Sequence, residues 1–143
     1  MIGYTRPLWP LFLHILGAMT LVGAVLTVAI VSLAGWQRSE AQVLARTAFR
    51  TLAAVGIPAY VVMRIFAEVL RSDEGYTHAL PTWISLGQAI ADGGLLVLIV
   101  TTGVAFWWQR SGKIAAGRTL AVLSTVYLVL LGVAWFAMSA KWG

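Results

Sequence analysis

One four-residue string occurs twice. Trp36-Gln37-Arg38-Ser39 returns as Trp108-Gln109-Arg110-Ser111, a shift of 72 residues, and the same shift carries Arg46 and Thr47 onto Arg118 and Thr119. Six identities in one register, each copy set between long apolar runs, point to a tandem duplication of a helical hairpin with this motif at its tip. The expected organisation is one transmembrane domain over residues 1–143, with a first hairpin repeat at 8–72 and a second at 80–143. Each repeat has two helices, so both halves enter a membrane in the same sense. A pseudo-two-fold axis along the membrane normal is the symmetry this predicts.

The apolar runs set the environment. Of 143 residues, 60% are hydrophobic and 10% charged, too little polar surface for a dispersed soluble domain of this size. Four spans follow, at roughly 8–35, 45–70, 83–108 and 115–141, each able to cross about 30 Å of hydrocarbon. The fold class expected is all-α: a polytopic membrane protein with four transmembrane helices. Ser32-Leu33-Ala34 has the form of a signal-peptidase site. The run before it is far longer than the roughly 7–15 residues of a signal-peptide core, so it is read as a span.

Tryptophan placement agrees with those ends. Trp9, Trp36, Trp83, Trp107, Trp108 and Trp142 fall near a predicted boundary, where an amphipathic indole prefers to sit, and Trp135 is the exception. Basic residues give the orientation. Arg38, Arg46, Arg50, Arg110, Lys113 and Arg118 cluster at the two tips, whereas the other side has Arg6, Arg71 and Lys141. The positive-inside rule then predicts cytoplasmic tips and both termini outside, in a bacterial inner membrane. It also accounts for most of the net charge of +5 without nucleic acid as a partner. The partner expected first is the lipid bilayer, and a thin four-helix bundle makes a homodimer or a larger membrane complex a natural setting. The basic tips Arg38, Arg46, Arg110 and Arg118 can also attract anionic headgroups. Ser39 and Gln42 have capping-box spacing for the second helix. Gly17, Gly23, the pairs Gly87/Ala91 and Ala89/Gly93, Gly117, Ala121 and Gly132 are expected at helix contacts.

Ionisable groups within spans are costly and need partners. His14, Arg64, Glu68 and Asp92, with Gln88 and Tyr60, form the expected polar pocket. Counted from the outer span ends, His14 and Arg64 lie roughly 9 Å deep, Glu68 roughly 3 Å and Asp92 roughly 13 Å. All are in the outer half, on three helices. Arg64/Glu68 and Gln88/Asp92 are each spaced i, i+4, so each pair shares a helix face. Pro58 removes a backbone donor and is expected to kink the second span, while Gly93-Gly94 thins the third. Arg64 is expected to face inward to Asp92, with His14 lining the same cavity. The simplest use of such groups is structural, an ion pair that fixes bundle register and a neutral histidine bonded to a carbonyl. A binding site or proton path would instead use Arg64 for an anion and Asp92 as carrier.

Cofactor readings rest on few residues. A transition metal would draw on His14 and His78 with Asp92 or Glu68. A haem would take His14 axially, with Met63 or Met138 opposite. No nucleophile elbow, phosphate loop or metalloprotease motif is present, and there is no cysteine. A non-enzymatic binding, transport or accessory module is therefore expected ahead of a haem- or metal-binding redox protein.

Leu13-His14-Ile15-Leu16-Gly17-Ala18, followed by Val22-Gly23, resembles the opening helix of small bacterial predicted integral membrane proteins with four spans, a family of uncharacterised function. That family has a similar His-x-x-Gly helix, a basic tip and a proline in the second helix, as Pro58 is here. The chain is distantly similar to copper-resistance D-type and HemJ-type membrane proteins, which also place a histidine in an early helix. The resemblance covers mainly residues 8–70. It implies a four-helix bacterial membrane protein and a copper or haem association carried to His14 alone.

Overall fold

Hydropathy and the punctuation by proline and glycine divide the chain into rods. The computed structural model describes residues 8–36, 41–73 and 81–140, and all its regular structure is helical. Helix α1 (Trp9–Ala34) starts with Pro10 in its first turn, where a missing N–H costs nothing. The second rod runs from Ala41 to Asp73 as α2 (Ala41–Thr51), a π-helical turn (Leu52–Gly56) and α3 (Ile57–Asp73). Helices α4 (Thr82–Ser111) and α5 (Ile114–Ala140) complete the chain. Pro81 precedes α4 in extended conformation, and its carbonyl accepts the first amides from Ile84 and Ser85. At the far end Gly112 takes φ +62°, and its N–H closes on the Trp108 carbonyl at 2.9 Å. Only glycine adopts that left-handed cap without strain.

All four rods are long and apolar enough to cross a membrane. Side chains such as Met19, Leu96 and Trp135 stand exposed along the bundle, a surface suited to lipid. The second rod is longer than the span expected at 45–70, beginning at Ala41 and reaching Asp73. Ser39, its expected cap, lies outside the described residues. Ahead of Pro58, where a kink is expected, the chain forms a π turn. The Ile57 N–H reaches back five residues to the Leu52 carbonyl, because the proline ring one residue on cannot donate to the usual ladder.

The rods pack in a cycle. Helix α1 lies along α2 and α3 on one side and along α5 on the other; α4 packs on α5 and, at the tip end, on α2. Both tips are at the same end, since Gln42 donates to the Gln109 carbonyl and Arg118 stacks over Trp36 at 5.3 Å. Leu21, Val25, Val28, Ala45, Ala48, Leu52, Leu98, Ala105 and Leu120 fill the interior. Ser32 and Ser124 are also buried, each hydroxyl donating to carbonyls of its own helix.

Two expectations need correction. Trp108 is not an interfacial indole but a core residue, 1% exposed, wedged where Gly35 and Gly117 leave room for its ring. Trp142 lies outside the described residues. The small residues also divide. Gly17, Gly87 and Gly117 meet neighbouring helices, whereas nothing lies within 4 Å of a Cβ added at Gly23, Gly93 or Gly132. These three face outward because the rods pack through other faces.

At Gly17 a Cβ would stand 2.8 Å from the Met63 amide nitrogen and 3.0 Å from the Ala59 carbonyl oxygen, both rigid backbone. Gly17→Ala should therefore force α1 and α3 apart and destabilise the protein by about 1–3 kcal/mol. Gly23→Ala should stay within about 1 kcal/mol of wild type and lean towards stabilisation. Thermal unfolding of both variants in the same detergent checks this; equal melting temperatures would contradict the close packing.

Candidate functional site

Tyr60, Arg64, Glu68 and Arg71 follow one another at spacings of four, four and three residues, which places all four on one face of α3. That face looks across to α4. The second rod and α4 are closely joined from the tip end to mid-bundle, by Gln42 on the Gln109 carbonyl, by Phe49 against Phe106 at 5.4 Å, and by Gly56 beside Leu98. Beyond the π turn the backbones of α3 and α4 barely approach. Polar side chains span the gap instead.

There the Tyr60 hydroxyl donates to the Ala91 carbonyl at 2.9 Å. Arg64 uses both terminal nitrogens: Nη1 holds Glu68 Oε1 at 2.5 Å and Nη2 holds Asp92 Oδ1 at 2.8 Å. Glu68 in turn presents Oε2 to Arg71 Nη2 at 2.8 Å, and Arg71 Nη1 donates to Gln88 Oε1 at 3.4 Å. Asp92, Arg64, Glu68, Arg71 and Gln88 thus form one chain of contacts that leaves α4 at Asp92 and rejoins it one turn away at Gln88. Two cations and two anions alternate along it, so the charges compensate internally. Such compensation is what charged groups require wherever they are withdrawn from water. The network nevertheless lies on the flank of the bundle. Side-chain exposure is 26% for Arg64, 39% for Glu68 and Arg71, and 54% for Asp92.

His14 does not join it. Its Nδ1 lies 2.9 Å from the Met63 carbonyl, on the side of α3 that packs against α1. A carbonyl only accepts, so Nδ1 carries the proton and Nε2 is left without it in the neutral ring. The close backbone approach at Gly17, one turn along α1, is what brings the ring to that carbonyl. The expected common cavity of His14 with Arg64 and Asp92 is therefore corrected: the side chains occupy different seams of α3. Arg71, expected only as a basic residue of the outer side, is also a member of the network. Its signal was present in the spacing, three residues after Glu68 and seven after Arg64.

Below the network Tyr127 packs over Gly94, where a Cβ would stand 3.3 Å from the phenol oxygen. The hydroxyl is buried and has no hydrogen-bond partner among the described residues. Trp108 Nε1 and Gln109 Oε1, at the tip end, share that condition. The expected cytoplasmic residues Arg46, Arg110 and Arg118 are exposed at the tip end, Arg110 lying 5.5 Å over Phe106. Arg38 lies outside the described residues.

The metal and haem sets find little geometry. Among the described residues no three of His, Asp or Glu gather as metal ligands would. Met138 packs against Gly87 in the α4/α5 seam, apart from His14 in the α1/α3 seam, and His78 lies outside the described residues. Met63 meets His14 through its backbone carbonyl, not its sulfur. No known family, curated protein or solved structure matches this chain.

Because Arg64 is the only described link between Asp92 and the other charges, Arg64→Leu and Asp92→Asn should each destabilise, and together cost less than their sum. A double-mutant cycle by thermal unfolding should return a coupling of about 0.5–3 kcal/mol. Additive losses would mean that the pair contributes nothing beyond its separate members.

Proposed function

We propose that this chain is a small multi-pass protein of a bacterial inner membrane whose α3/α4 seam forms an outward-facing polar site, used as a binding, transport or accessory-subunit module. The observation that carries the reading is the charge-compensated network of Arg64, Glu68, Arg71, Asp92 and Gln88 across a seam where the two helix backbones barely approach. A purely structural tie between two membrane helices is met by small residues and one hydrogen bond, as at Gly17 and His14. Four charged groups on one flank are more than that task requires, and intramembrane charge concentrates at functional sites.

The duplication belongs to the same proposal. The contacts of α1 with α5 and of α4 with α2 are the pair that a two-fold axis along the membrane normal would generate. Orientation follows from the basic tips. Cysteines introduced singly at Ser39 and Ser111 should resist an impermeant thiol reagent in intact cells, and one at Thr77 should react. The opposite pattern would put the polar site on the cytoplasmic side.

Binding is tested by melting the purified protein against a panel of small anions, cations and zwitterions. A ligand at 100 times its dissociation constant should add about 2.7 kcal/mol to wild type and much less to Asp92→Asn. No stabilising compound in the panel would count against a ligand site.

One observation favours a second reading, a haem or transition metal on His14. Its Nδ1–H bond to the Met63 carbonyl fixes the tautomer that leaves Nε2 available as a ligand. An absorption spectrum and metal analysis of the purified protein decide it, with a Soret band or stoichiometric metal lost in His14→Ala as the supporting result.

A further inference from the structure

The charged network runs from the level of a lipid headgroup to about 7 Å below the boundary, and it opens sideways. Helix α4 is about 45 Å long against about 30 Å of hydrocarbon, so about 7 Å at each end lies among headgroups. By the same count Arg71 and Glu68 sit at headgroup level, Arg64 about 4 Å below the boundary and Asp92 about 7 Å below it. More than half of the Asp92 side chain is exposed on the flank of the bundle. In hydrocarbon that carboxylate needs a polar cover. Inward of Arg64 and Asp92, Val61 of α3 and Leu95 and Leu96 of α4 present exposed apolar surface suited to acyl chains, and Ile65 extends it beside Arg64.

The charge pattern selects the occupant. A lone anion would meet Glu68 and Asp92, and a lone cation would meet Arg64 and Arg71. A zwitterion exchanges partners without leaving any charge uncompensated: its phosphate replaces a carboxylate on a guanidinium, and its ammonium takes up the released carboxylate. Resting on the polar-site reading above, we propose that the α3/α4 seam binds, from the side, a phospholipid whose headgroup pairs a phosphate with a primary ammonium. A quaternary ammonium has no N–H to give Asp92 or Glu68, so methylation of the headgroup nitrogen should weaken binding stepwise.

Native mass spectrometry of the full chain in detergent, titrated with lipids of identical acyl chains, tests this. Phosphatidylethanolamine should be retained about tenfold over phosphatidylcholine and phosphatidylglycerol, the worth of one charge-assisted hydrogen bond, with the mono- and dimethylated headgroups between. Asp92→Asn and Glu68→Gln should remove the preference, and Arg118→Gln at the tip should keep it. The methylation series needs no variant, so it decides even where a substitution impairs folding. Equal retention of all the headgroups overturns the inference. Glycerophosphoethanolamine, the soluble headgroup, separates the two failures: if it stabilises the protein while the lipids show no preference, the polar site stands and the lipid assignment falls. If neither binds, both fall. A dimer that Asp92→Asn disrupts, with no lipid preference, would show that a second copy covers the seam.

Discussion

The guanidinium of Arg64 is shared between Asp92 on α4 and Glu68 on its own helix, and the terminal half of the α3/α4 seam is arranged about that sharing. Past the π turn the backbones of α3 and α4 barely approach, whereas nearer the middle Gly56 sits beside Leu98. Tyr60 and Gln88 add bonds to either side. Neither compensates a charge. Remove the guanidinium, and Asp92 stands on the flank of the bundle with no described counter-ion, a condition that costs most in a low-dielectric medium.

Pro58 and the charged face are linked by this geometry. The π turn gives the carbonyls ahead of Pro58 new partners and shifts the register of everything after it. Tyr60, Arg64, Glu68 and Arg71 all lie in the part of the rod so re-aimed. On the opposite side α3 remains close to α1, held by the Gly17 contact and by His14 on the Met63 carbonyl. Helix α3 is therefore closely packed on its α1 side, while its α4 side is bridged by polar side chains. The second hairpin has no equivalent, because the positions 72 residues from Arg64 and Glu68 are Phe136 and Ala140.

The sequence alone determined four apolar rods and the depth of their polar residues. Backbone polar groups have no water to bond in hydrocarbon, so a long apolar run can only be a helix, and its polar residues can be located along it by counting. The depths of Arg64 and Asp92 differ by only a few ångströms on that count, which brings them within reach of each other. The helical phase that puts Arg71 on the same face was equally legible in the 4, 4, 3 spacing.

Only the tertiary structure decided which side of each rod faces a neighbour. In water, polarity separates the buried face from the exposed one; in lipid both are apolar, and a glycine at a contact looks the same as one facing acyl chains. Hence Gly17 and Gly117 meet other helices while Gly23 and Gly132 do not, and Trp108 is enclosed although it stands where an interfacial indole is expected. The separation of His14 from Asp92 has the same origin. Depth placed both in one half of the bundle, but only packing fixed His14 in the seam with α1 and Asp92 on the flank with α3.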